Sequence, residues 1–475
     1  MLRQWQVECV KSALDVYSNE KKHFLCLATP GSGKTIMAAE VAAKLKRENL
    51  IDLVLCFSPS REIAESIKNT FSSRLGCIFN GGIGSVGGSY TYQHMLFMKD
   101  DFWKAVNQHR VFIVFDEIHH CAGKSHEDAN VWGLEILTKM QQQAAYTLAL
   151  TGTPWRSDTA PIVLANYSNS DGLIECDYTY GLRQSIKDNV CRSPKIVLID
   201  NDQLTVNKLN NESVTFRSIE ELMSVELVPY QAIISNHDAM RYVLKLGCQK
   251  LQKIRVENSM AGGLVVAASV EHATELLEIL RSEFNQTAVI VTYRHDEPLS
   301  EIAAFRTSDI EWIVSVGMIS EGTDIPRLQV CCHLSAVKTE LYFRQVLGRI
   351  LRMSKEINQE AWLYTFAEKN LNQFAERIET DIPDANAIKR VSYEFDNNLP
   401  AESDLVIESP IRPAADEMHN YDDLLTLDCL EWSRVSNSGN ANIKNTSTLS
   451  DKLPLNNLYL STSFRERLID SFYFN

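Results

Sequence analysis

Ala28-Thr-Pro-Gly-Ser-Gly-Lys-Thr35 is the stretch from which the fold is read. It follows the apolar run Phe24–Leu27, which predicts a short buried strand. It leads into a segment with Met37, Val41 and Leu45 at helical spacing. Strand, glycine loop and helix in this order make the setting of a phosphate-binding loop. Gly31 and Gly33 let the loop Thr29-Pro30-Gly31-Ser32-Gly33 curl, which turns its N–H groups toward anionic oxygens. The N-terminus of the next helix adds partial positive charge. Lys34 is expected to reach the β- and γ-phosphates of a nucleotide, and the Thr35 hydroxyl to sit on Mg²⁺. The first glycine of the usual pattern is replaced by Ala28, at the strand end, where a methyl group is tolerable.

The chain has 475 residues, which predicts about three units. It is 45% hydrophobic and 23% charged, ordinary globular material. Its net charge of −14 argues against a whole-surface nucleic-acid coat but leaves room for a local basic groove. Eleven cysteines include no C-x-x-C pair, so reduced thiols in a cytoplasmic protein are expected. No apolar run approaches the ~20 residues of a membrane span, and no membrane association is expected.

Further apolar runs follow at Leu53–Phe57, Val111–Phe115 and Tyr146–Leu150, separated by helical stretches. This alternation predicts βαβ units and a parallel sheet. Each run ends in a polar segment: Ser58-Pro-Ser-Arg-Glu62, Asp116-Glu-Ile-His-His120 and Thr151-Gly-Thr-Pro154. Such segments gather along the carboxyl edge of an open α/β sheet. Asn80–Ser89 is glycine-rich and reads as a mobile loop. A second series, Lys195–Ile199, Leu264–Ala268, Ala288–Thr292, Trp312–Val316, Gln329–Leu334 and Trp362–Phe366, predicts another α/β domain. One long helix is expected over 228–258. Beyond about residue 395 the composition turns polar and acidic and reads as a loosely structured tail. Its last aromatic stretch, 460–474, is suited to docking back or to a protein partner.

Asp116 and Glu117 follow an all-apolar strand. In a chain with a phosphate loop, the first is expected to hold Mg²⁺ and the second to position and deprotonate the attacking water. His119, His120, Cys121 and His126 lack a second ligand pair at zinc spacing; His119 is expected to couple the nucleotide site to neighbouring loops. In Glu340-Leu-Tyr-Phe-Arg-Gln-Val-Leu-Gly-Arg-Ile-Leu-Arg352, the residues Gln345, Arg349 and Arg352 share one helical stripe. Gly348 allows another surface to approach Arg349. The stripe holds no acidic partner within the helix, so its arginines suit an external anion such as a γ-phosphate.

In this order the segments resemble the superfamily 2 helicases and translocases of the DEAD/DEAH-box type, nearest the branch with the type III restriction subunits. Ala28–Thr35 resembles motif I, Asp116–His119 motif II in a DEIH form, and Thr151–Pro154 motif III. The resemblance implies two RecA-like parallel-sheet domains in tandem, at 1–193 and 194–395, with the acidic tail at 396–475. It implies ATP and Mg²⁺ as cofactors and nucleic acid, DNA rather than RNA, as partner. It places Arg3 and Gln6 of Leu2–Gln6 on the adenine base, and Gly322 and Asp324 of motif V at the nucleotide. Thr151 and Thr153 join His119 in coupling. Ser58, Arg61, Thr91, Gln93, Ser269 and Ser320 are implied as contacts to the nucleic-acid strand. Arg349 and Arg352 of motif VI reach the γ-phosphate from the second domain. The expected activity is ATP-dependent movement along, or unwinding of, DNA. Two alternatives use the same residues: a subunit that translocates on duplex without unwinding it, in a restriction, defence or repair machine, and a nucleotide-gated binding switch.

Overall fold

The computed structural model describes residues 2–378, apart from 123–128, 141–142, 154–160, 168–173, 208–211, 293–297, 318–323 and 355–358, together with 458–470 apart from 462. Its described residues contain two large sheets within one compact unit.

The first sheet takes its strands from β1 (His23–Ala28), β2 (Leu53–Ser58), β3 (Gly87–Thr91), β4 (Val111–Phe115) and β5 (Tyr146–Thr151). A short antiparallel pair, β6 (Asn166–Tyr167) and β7 (Ile174–Glu175), precedes its last strand, β8 (Tyr178–Tyr180). The order is β3-β2-β4-β5-β1-β8, and every pairing is parallel. Period-two alternation sends neighbouring residues to opposite faces. Phe24, Cys26, Val54, Cys56, Phe112 and Val114 enter one core, while Leu25, Leu55, Phe57, Ile113 and Phe115 enter the other. Both faces are covered, which is why these strands are apolar throughout.

The second sheet begins with β9 (Pro194–Asn201). β10 (Leu204–Asn207) and β11 (Ser213–Phe216) form a side sheet. The main sheet continues with β12 (Gly262–Ala267), β13 (Ala288–Val291), β14 (Trp312–Ser315), β15 (Leu328–Leu334) and β16 (Ala361–Phe366). Two further strands, β17 (Leu458–Leu460) and β18 (Phe464–Ile469), come from the end of the chain. The order is β13-β14-β12-β15-β16-β9-β18, parallel except for β18, which runs antiparallel to β9. All strands of both predicted series are present.

Three expectations change. The last three residues of the glycine-rich loop belong to a strand: Gly87 has φ +155 and lies so close to β2 that a Cβ would stand 1.8 Å from the Val54 carbonyl oxygen. Only glycine permits that approach, so composition here marks tight pairing. The helix over 228–258 is two helices, Tyr230–Ile234 and His237–Glu257; the Asn236 side chain accepts from the N–H groups of Asp238 and Ala239 and restarts the helix. Within the stretch read as a tail, β17 joins β10 and β18 joins β9, so the chain end docks back onto the second sheet. Residues 379–457 lie outside the described residues.

Candidate functional site

The loop after β1 has the two left-handed glycines that its sequence requires, Gly31 at φ +80 and Gly33 at φ +96. A Cβ on Gly33 would stand 2.7 Å from the Gln6 side-chain nitrogen. That nitrogen donates to the Gly33 carbonyl at 3.0 Å, and Arg3 Nη1 donates to the Ser32 carbonyl at 2.5 Å. Arg3 and Gln6, expected on the base, are thus placed on the loop's own carbonyls. The N–H and hydroxyl of Thr29 both donate to the Tyr180 carbonyl, which ties the loop's start to β8. Lys34 Nζ donates to the Ala28 carbonyl at 3.1 Å and lies 3.4 Å from Glu117 Oε1.

Asp116 continues β4, and its N–H donates to the Phe57 carbonyl at 2.8 Å. Tyr92, from the helix Tyr92–Leu96, donates its hydroxyl to the Asp116 carbonyl at 2.8 Å. This contact has no signal in the sequence beyond lying in Thr91-Tyr-Gln93. The Asp116 carboxyl is buried and its Oδ1 has no hydrogen-bond partner. Burial first, then the neighbouring Glu117, raises its pKa, and Lys34 opposes the shift. Glu117 has φ +50, a left-handed conformation that a side chain rarely adopts and that is held here by its surroundings. The Gly152 N–H donates to Glu117 Oε2 at 3.2 Å, and His119 Nδ1 lies 3.5 Å from the same oxygen. His119 Nδ1 also lies 3.0 Å from Thr151 Oγ1 and 3.4 Å from Thr153 Oγ1. The three residues expected to couple the site are therefore in mutual contact.

The opposite wall comes from the second sheet. Thr339 caps the helix Glu340–Ile350 by accepting from the Tyr342 N–H. Gln345 and Arg349 are buried on it. Gly348 faces the phosphate loop, where a Cβ would stand 3.2 Å from Pro30, so the loop is the surface that Gly348 admits. Arg352 departs from the expected stripe. The helix ends at Ile350, and Arg352 lies past it, bridged to Cys191 and ion-paired with Asp324. Lys34, Thr35, Asp116 and Glu117 face Asp324, Gln345, Arg349 and Arg352 across one cleft of about 360 Å³. Gly322, Ser320, Pro154 and His126 lie outside the described residues.

The implied strand contacts divide. Ser58 is fully buried and donates to the Ser60 carbonyl at 3.3 Å. Thr91 and Ser269 cap helices, accepting from the N–H groups of His94 and His272. Arg61 is exposed and Gln93 is half-buried at the carboxyl edge of the first sheet. Every described cysteine is a free thiol, and no described helix is long and apolar enough to cross a membrane.

Residues 1–156 match the family model of the type III restriction enzyme res subunit, and residues 248–354 match the helicase conserved C-terminal domain. An uncharacterized protein of Mycobacterium leprae is 27% identical over 393 residues, which cover 80% of this chain and 64% of that protein. This chain thus spans slightly less than two thirds of the length of that relative. A Sulfurisphaera tokodaii protein described as DNA 3'-5' translocase XPB2 is 23% identical over 382 residues, 74% of this chain and 78% of that one. Among solved structures, a fragment assigned to the HsdR subunit of a type I restriction enzyme from Vibrio vulnificus aligns with a TM-score of 0.53. Its identity is 17%, over 80% of this chain and 67% of that one, which speaks to the fold alone. One matched model thus falls on each of the two large sheets, and over both the chain is similar to the superfamily 2 helicases and translocases of the type III restriction branch.

Proposed function

We propose that this protein hydrolyses ATP to move along nucleic acid, DNA in preference to RNA, as a translocase or helicase. The shared cleft carries this reading: Lys34, Asp116 and Glu117 on one wall, Arg349 and Arg352 on the other. Lys34 exchanges its contacts with Ala28 and Glu117 for β- and γ-phosphate oxygens. Glu117, released, takes a proton from the attacking water. Arg349 and Arg352 balance the charge that develops on the transferred phosphoryl group. The Asp116 Oδ1 atom, buried without a hydrogen-bond partner, and the Thr35 hydroxyl fit Mg²⁺, a hard cation that takes oxygen ligands and supplies charge neutralisation at phosphate. Arg3 lines the same cleft beside the loop, a position suited to the base.

Loss of the γ-phosphate removes what holds the arginines to the first wall, so the walls part. His119, Thr151 and Thr153 link that event to the carboxyl edge of the first sheet, where Arg61, Thr91 and Gln93 are placed to grip a backbone. Ser269, at the start of a helix on the second sheet, adds to the grip from that side. Backbone gripping carries little sequence preference. The description of the Sulfurisphaera relative as a DNA translocase supports DNA over RNA, and translocation on duplex without unwinding is the second reading.

The test is ATP turnover with single- and double-stranded DNA and RNA, beside strand-displacement and triplex-displacement assays. Stimulation by DNA is expected. No stimulation by any nucleic acid overturns the motor and favours the switch. Triplex displacement without strand displacement selects the duplex translocase.

A further inference from the structure

The segment between the two sheets carries an arginine that belongs to no motif. Arg192 is 1% exposed, and its guanidinium is hydrogen-bonded entirely to neutral oxygens. Nη1 donates to the carbonyls of Leu328 and Ile350 at 2.6 and 3.1 Å. Nη2 donates to the Pro326 carbonyl at 3.0 Å and the Ser354 hydroxyl at 3.2 Å. Nε donates to Gln359 Oε1 at 3.0 Å. These contacts saturate the donor capacity of a guanidinium. Burial lowers its pKa to about 10, which leaves it charged at neutral pH. Among the described residues no carboxylate pairs with it, and a buried charge so placed is tolerated only when its hydrogen bonds are complete, so this arrangement fixes the acceptors tightly in space.

The acceptors come from the segments that supply the second wall of the cleft. Pro326–Leu328 follows Asp324, and Ile350–Ser354 contains Arg352 and follows Arg349. The backbone strengthens the link: the Arg192 N–H donates to the Leu351 carbonyl at 2.8 Å, and Cys191 pairs with Arg352 in an antiparallel bridge. On the other side, Cys191 Sγ lies 3.5 Å from the carbonyl oxygen of Pro30, in the phosphate loop. A short piece of linker therefore touches the phosphate loop and holds both segments of the arginine wall.

We propose that Arg192 is a positioning residue for ATP turnover: it locks the Asp324 and Arg352 segments to the linker, so that Arg349 and Arg352 are presented to the nucleotide in a fixed pose. This rests on the ATPase reading above. A lysine places its three donors at one point and cannot span two segments as the planar fork does.

The experiment compares wild type with Arg192→Lys, which keeps the charge. Expected is a fall in kcat on the order of 10²-fold, the size of a small misplacement of catalytic groups, with KM for ATP and the affinity for a fluorescent ATP analogue unchanged. Amide exchange within 349–354 should rise, and any fall in Tm should leave the protein folded at the assay temperature. The double variant Arg192→Lys with Arg352→Lys should lose less than the product of the two single losses, because Arg192 acts in part through Arg352. Multiplying losses, or a lowered Tm with unchanged kcat, overturn the proposal. If wild type shows no turnover, the ATPase reading falls, and the exchange measurement still decides the positioning: no rise within 349–354 overturns it. Should Arg192→Lys fail to fold, Gln359→Leu removes the Nε acceptor together with the side chain's own bonds to Ser354, and must give the same kcat-only loss at smaller size; unchanged kcat there overturns the proposal.

Discussion

Glu117 stands at φ +50 between Lys34, the Gly152 N–H and His119, and each of these contacts would be broken or remade as a phosphate enters. A side chain held in a left-handed backbone is aimed by its surroundings, so its chemistry can be removed without moving it. Glu117→Gln keeps the shape and the hydrogen bond from Gly152 but cannot accept the water's proton. Turnover is expected to vanish while ATP still binds; wild-type turnover in this variant, or in Lys34→Ala, would sink the assignment. Arg349 makes the complementary case. It sits on the opposite wall, so Arg349→Ala should slow hydrolysis by roughly 10³–10⁵, as for a lost arginine finger, and leave binding in place. A loss of binding at unchanged turnover, read by titration and steady-state kinetics, would remove the cross-cleft role.

At the scale of elements, β18 is the strand whose reading changed most. Phe464–Ile469 exposes Arg465, Glu466, Arg467 and Leu468 in a row without a period-two alternation, and its partner β9 lies far away in sequence, so no local pattern announces the pairing. The parallel strands were legible because two covered faces demand continuous apolar runs. β3 was not, because there glycine serves close approach to Val54. The docked end is held by more than its ladder. Tyr242 stacks on Phe464 at 4.3 Å and donates to Glu466 at 2.7 Å, Arg467 pairs with Glu376 at 2.9 Å, and the buried Asn201 donates to the Ser461 carbonyl at 2.8 Å. Ending the chain at residue 378 therefore bares one edge of β9 and leaves Asn201 without that partner. The shortened protein should melt at lower temperature and aggregate sooner through the open edge. Equal melting of the two chains would mean that the docked strands contribute nothing to stability.

Over the whole molecule, the residues that motif spacing singles out line two walls of one cleft, and what the spacing could not locate is how those walls meet. Motif spacing named Lys34, Asp116, Glu117, Arg349 and Arg352. The Pro30–Gly348 contact, the Arg352–Asp324 pair and the linker arginine arise only when the two sheets face each other. Stability against acid is likewise a property of the folded whole. His333, on β15, and His272, on the helix Val270–Glu278, are both buried, and burial lowers both pKa values to about 4 from an ordinary 6.5. The sign follows from linkage. Below about pH 6.5 the unfolded chain takes up these protons and the folded chain does not, so stability is present above that pH and is lost as pH falls toward 4. Each histidine contributes a slope of up to about 1.4 kcal/mol per pH unit in this window. Carboxylates elsewhere add their own slope, so the measurement is a difference: urea melts of wild type and His333→Gln between these pH values. The variant should lose less stability on acidification than wild type. Parallel curves would mean that His333 is already protonated in the fold, against its burial beside Thr365.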